Sequence, residues 1–238
     1  MRTAERALFL LLGHAINEVN VLNKLFYLSN NYVEGDKWRQ HAHLTQGLIL
    51  ARALVGKLSE GWNLLGEGYF GTHLSKTYDK LLNPEAVQAL DSLKKHFGRK
   101  SIIRDVRNGF AFHYSFNEIA NLKVNDLDES ELLLYMGENN GNTLFYGSEY
   151  VVNLAIMQSI DSSNFTVAFE ALVDETQSVV AWFNEAAQGI MAEIAEIYLR
   201  HRDGTVASEE IDIGAQPYAE DLEIPYFFMR KLPAEQGD

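Results

Sequence analysis

Residues 7–26 read ALFLLLGHAINEVNVLNKLF, and their spacing decides the fold class. Leu8, Leu12, Ala15, Val19, Leu22 and Phe26 recur at intervals of 4, 3, 4, 3 and 4. An α-helix turns once every ~3.6 residues, so these six share one face. Asn17, Asn20 and Lys24 fall on the opposite side. The segment therefore predicts an amphipathic helix over about 4–29. The same rhythm returns after Gly35-Asp36 in Leu44, Leu48, Ala51, Val55, Leu58 and Trp62, which predicts a second helix over about 36–65.

Working outward, residues 66–73 are glycine-rich and read as a loop or helix end. Asn83-Pro84-Glu85 is a helix start, with a side-chain cap, a proline whose missing N–H costs nothing there, and an acid in the first turn. Val87, Leu90, Leu93 and Phe97 follow before Gly98. Ser101 then caps a helix expected to reach about Asn121, with Ile103, Val106, Phe110 and His113 on one stripe. Leu132–Met136 and Thr143–Val152 flank a polar stretch containing Asn140-Gly141, a favourable tight turn. This predicts a small β-hairpin over about 132–152. Its aromatic residues Tyr135, Phe145, Tyr146 and Tyr150 fit packing against the rest of the chain, or a partner surface. Asp161–Asn164 offers caps for a last helix over about 164–202, with Leu172, Thr176, Val179, Phe183, Ala186, Ile190 and Ile197 in register. The fold class expected is mainly α: an up-and-down bundle of about five helices in one domain, 1–204, with the hairpin inserted. Residues 205–238 are acidic, carry Pro217, Pro225 and Pro233, and read as an extended tail docking through Ile224–Met229.

Composition narrows the function classes. The 238 residues contain no cysteine, which removes disulfides and thiolate metal sites. The apolar run Ala7–Leu12 is too short for a signal peptide core, and no run approaches the roughly 20 apolar residues a spanning helix needs. A soluble, cytoplasmic protein without membrane association is expected. The net charge of −13 repels nucleic acid at long range. The charge is uneven, however: Lys94, Lys95, Arg99, Lys100, Arg104 and Arg107 crowd one window, opposed there only by Asp105. That window reads either as a solvated helix face or as an anion-binding surface.

Several chemistries can be set aside. The glycines at 61, 66, 68 and 71 lack a phosphate-loop lysine. No HExxH motif occurs, and no Glu precedes a His by three residues. His41 and His43, two apart, would point about 200° apart on a helix. His14 and Glu18 share a face at i, i+4, more simply as a polar helix contact than as a metal half-site. No cofactor or metal is expected. Lys57–Trp62 reads as a packed helix segment from which Glu60 reaches a buried Arg or His.

The stretch Ile103-Arg-Asp-Val-Arg-Asn-Gly-Phe-Ala-Phe-His-Tyr114 carries the strongest motif. Arg107-Asn108 followed by His113 resembles the Arg, polar residue, spacer, His signature of the HEPN superfamily, and the surrounding helical bundle resembles that superfamily's architecture. The resemblance implies a homodimer with two motifs meeting in a cleft, and a metal-independent endoribonuclease cutting RNA through its own 2′-hydroxyl. It implies that Arg107, Asn108 and His113 are catalytic, with Arg104, Lys100 and Tyr114 contacting substrate. It also implies a toxin–antitoxin or phage-defence setting with an antitoxin or other protein partner. The chemistry is consistent with the residue types: histidine moves protons near neutral pH, and arginine holds developing phosphorane charge. Residues six apart on a regular helix are separated by roughly 240° and about 9 Å. One site from Arg107 and His113 therefore needs a second chain or a distortion at Gly109. The other reading is a non-catalytic HEPN-like module that binds proteins.

Overall fold

The computed structural model describes residues 1–29, 35–111, 119, 127–200 and 211–228. Among them are seven α-helices: α1 Thr3–Ser29, α2 Lys37–Gly68, α3 His73–Tyr78, α4 Pro84–Phe97, α5 Ile102–Val106, α6 Tyr146–Ile160 and α7 Phe165–Leu199. The chain is mainly helical, as the periodicity predicts.

Side-chain pairs set the directions of the long helices. Tyr198 meets Glu5, Asn184 meets Asn20 and Gln177 meets Asn23, so α7 runs antiparallel to α1. Lys57 meets Glu18, and Gly68 approaches Leu8, so α2 is antiparallel to α1 as well. α4 runs antiparallel to α7, with Ala86 beside Gly189 and His96 beside Trp182 and Glu175. The apolar stripes named above meet in one core that includes Leu12, Val19, Leu58, Val106, Phe183 and Ile190. The expected caps are formed: Asn83 accepts from the Ala86 amide at 2.7 Å, and Ser101 from Arg104 at 3.3 Å. Asn164 caps α7 through Val167 at 3.2 Å.

The bundle has two ends. At one, the buried Glu5 carboxylate accepts from the Tyr198 hydroxyl at 2.7 Å, the Arg2 amide at 2.8 Å and the Tyr78 hydroxyl at 3.3 Å. Burial pushes this carboxyl upward, but the three donors outweigh it and hold it below its usual range. The opposite end holds the start of α2, the 131–146 segment and tail residues 223–228.

Three expectations need correction. The hairpin over 132–152 does not form: pairing shrinks to a single bridge between Tyr135 and Leu144 (N–O 3.0 and 2.8 Å), and Tyr146 onward is α6. The β-branched Val151-Val152 pair suggests a strand, yet Tyr146, Asn153, Ile156 and Met157 are buried at helical spacing. Tertiary packing thus overrides local propensity. Second, about five helices become seven, because α3 occupies the stretch after the glycine-rich loop and α6 replaces a strand. Third, the helix expected over 101–121 is α-helical over Ile102–Val106 and continues as a π-helical turn, Arg107–Ala111, and most of the rest of the expected span lies outside the described residues. Gly109, a poor helix former, lies in the middle of that turn.

Two buried imidazoles predict an acid sensitivity. His96 is 4% exposed, and burial lowers its pKa against the pull of Glu175. His41 is lowered by burial against the pull of Glu131. Both rings bind protons less readily folded than unfolded, where the value is about 6.5. The stability they permit is complete above that value and is lost as pH falls toward the folded values. The melting temperature is expected to be level above about pH 7 and to fall below about pH 6.5, with a shallower fall in His96→Gln. A wild-type profile flat from about pH 5 to 7 would contradict this.

Candidate functional site

The π-helical turn places the first half of the motif over α2. Arg104, Arg107 and Asn108 line a cavity of about 210 Å³ with Ser59, Trp62 and Asn63 from α2 and Phe97 from the end of α4. Trp62 and Phe97 are stacked, with centroids 4.8 Å apart and planes 10° from parallel, and form a stiff apolar wall. Lys94 sits over the neighbouring Phe70 ring at 5.2 Å.

Arg107 is held at two points. Its Nη1 donates to Asn108 Oδ1 and its Nη2 to Glu60 Oε1, each at 3.1 Å. Glu60 thus reaches an arginine from the Lys57–Trp62 segment, at the surface and not in the core as expected. The guanidinium is one-third exposed, while its Nε is buried without a hydrogen-bond partner among the described residues. A buried charged donor left unpaired is costly. Three donor side chains around a small polar cavity can hold a tetrahedral anion.

The structure brings together only part of the expected constellation. Arg104, Arg107 and Asn108 share the cavity. Lys100 does not line it: its side chain is 85% exposed and its Nζ lies 3.5 Å from Asp105. His113 and Tyr114 lie outside the described residues. Ser59, Asn63 and the aromatic wall were not legible in the sequence. The available signal was the i, i+3, i+4 spacing of Ser59, Trp62 and Asn63 on α2, which reads equally well as packing.

Elsewhere, His14 lies 3.5 Å from Glu18, whose carboxylate also takes Lys57 at 2.6 Å. Among the described residues no group of three or more His, Asp or Glu is placed to hold a metal ion, and no helix is long and apolar enough to cross a membrane. Comparison with protein-family models, curated proteins and solved structures finds no match to this chain.

Proposed function

We propose that the chain is a HEPN-like, metal-independent endoribonuclease acting as a homodimer. The observation that supports this most is the convergence of Arg104, Arg107 and Asn108 on one cavity. In the proposed reaction the RNA 2′-oxygen attacks the adjacent phosphorus. The O2′–P bond forms and the P–O5′ bond breaks, leaving a 2′,3′-cyclic phosphate and a 5′-hydroxyl. His113 takes the 2′ proton or protonates the leaving 5′ oxygen, and Arg107 stabilises the phosphorane charge. Asn108 orients the phosphate, and Arg104, Lys100 and Tyr114 contact the flanking RNA. Two chains supply the complete set across the dimer cleft. A toxin–antitoxin or phage-defence setting, with an antitoxin partner, belongs to the same proposal.

The test is RNA cleavage in excess chelator, with end-group analysis of the products. Cleavage leaving cyclic phosphate ends is expected. Dependence on a divalent metal, or a 3′-hydroxyl product, overturns the mechanism.

The second reading, a non-catalytic HEPN-like interaction module, is favoured by the Glu60–Arg107 ion pair, which occupies the arginine internally. It expects no cleavage at all. Substitution of Glu60 separates the two: Glu60→Gln removes the carboxylate that competes with phosphate. An exposed pair of this kind contributes up to about 1 kcal/mol, so RNA affinity by filter binding is expected to rise about five-fold. Unchanged or weaker binding would mean that Arg107 does not meet phosphate.

A further inference from the structure

An exposed apolar run before α6 lies in a part of the chain that carries acids alone. Residues 127–199 contain 12 Asp and Glu and no Lys, Arg or His. Around the start of α6, cations from α2 reach two of these acids. Lys37 and His41 meet Glu131 at 2.8 and 3.3 Å, and Arg52 meets Glu149 at 2.9 Å. Glu129 and Glu138 are exposed and have no ion pair among the described residues. Between these two carboxylates residues 132–136 read LLLYM. Leu134 is 50% exposed, Met136 81% and the nearby Phe145 61%. Leu132, Leu134, Phe145, Val151 and Val152 line an open groove of about 510 Å³ with Ile119. Exposed apolar surface rimmed by polar groups marks a place where another molecule binds.

The groove is held in shape from its inner side. Tyr135 exchanges both backbone bonds with Leu144, at 3.0 and 2.8 Å, and the Gly147 amide donates to the Leu133 carbonyl at 2.8 Å. Leu133 and Tyr135 pack against the small cluster of Ala42, Leu144 and Tyr146. A Cβ on Gly147 would lie 2.9 Å from the Leu132 Cα, so the first turn of α6 presses directly on the run. Side chains thus alternate inward and outward, as along a strand. Among the described residues the Leu134 amide and carbonyl have no backbone partner. Alternation turns them to the open side, where a further extended segment can pair with them. Charge decides what that segment is. Nucleic acid meets two unpaired carboxylates on a chain of net charge −13. A second copy placed symmetrically on this edge brings the same two carboxylates against them. Cations on the incoming segment turn that repulsion into attraction.

We infer that this groove takes an extended apolar segment of another protein with lysine or arginine at both ends, its apolar side chains in the groove and its cations on Glu129 and Glu138. Neither RNA cleavage nor a dimer is needed for it. The test is selection from a display library of random ten-residue peptides on the immobilised full-length chain, run in parallel on Leu134→Lys and on Glu129→Lys/Glu138→Lys. The substituted side chains are all exposed, and far-ultraviolet circular dichroism checks that the variants keep their helices. The wild type is expected to enrich peptides with an apolar core and basic ends. Labelled synthetic copies of those peptides are expected to bind Leu134→Lys at least ten-fold more weakly by fluorescence anisotropy. The charge-reversed variant is expected to enrich acidic ends around a similar core. No enrichment on the wild type, peptides without an excess of lysine and arginine, or equal binding to Leu134→Lys overturns the inference. So does an unchanged preference in the charge-reversed variant. Enrichment of sequences that match this chain's own would assign the groove to a second copy and overturn it as well.

Discussion

Arg107→Ala is expected to lower the rate of chelator-resistant RNA cleavage by about 100- to 1,000-fold, the usual effect of removing one preorganised donor to a developing oxyanion. The effect should fall mainly on kcat, because phosphorane charge exists only in the transition state. The fold should survive, since the side chain is one-third exposed and its internal partners are Glu60 and Asn108 at the surface. Arg107→Lys keeps the charge but loses the fork, and should recover only part of the rate. His113→Ala should be impaired as strongly, and mixing the two inactive variants should restore some activity if one cleft takes its parts from both chains. Activity that persists in both variants would remove the proposed mechanism, whereas no cleavage by the wild type would leave the interaction-module reading standing.

Phe183→Ala should produce the largest loss of stability, about 3–5 kcal/mol by equilibrium urea unfolding. The ring is 1% exposed in the main core and faces α2 at Gly61. A Cβ placed on Gly61 would sit 2.6 Å from a carbon of that ring, so the close approach of α2 and α7 depends on the missing side chain. Gly61→Ala alone should then cost about 1–3 kcal/mol through overpacking. The two substitutions should not add. Once the ring is gone the new methyl has room, and the double variant should be more stable than the sum predicts by at least about 0.5 kcal/mol. Strict additivity would show that the two residues do not meet.

The parts of the fold legible in sequence were those where periodicity and capping agreed. Residues 7–26 fixed the buried face of α1, and Asn83-Pro84 and Asn164 marked starts that the structure keeps. The 132–152 region misled because Asn140-Gly141 and two valines carry strand signals, whereas Arg52, bonded to Asn153 and Glu149 at 2.9 Å, and contacts with α7 favour helix there. Arg52 is about 100 residues away in sequence and leaves no local trace. The same holds for the site. Arg107 and Asn108 were visible as a motif, but Ser59 and Asn63 reach them only through the packing of α2 against the π-helical turn. A distortion at Gly109 was one of two alternatives that a single site required, and its form as a π-helical turn was not legible in the sequence.

The seam between α1 and α7 has a consequence for biosynthesis. It joins Glu5 to Tyr198 and Asn20 to Asn184, pairing two helices that lie far apart in the chain. While the chain is on the ribosome, the apolar face of α1 lacks one of its two long partners until Leu199 has emerged. At about 5–20 residues per second that interval is of the order of ten seconds or more. Contacts of such sequence separation also slow folding after release. Until α7 is made, part of the leucine-rich face of α1 therefore lacks its cover, and chaperones that bind apolar helices can occupy it.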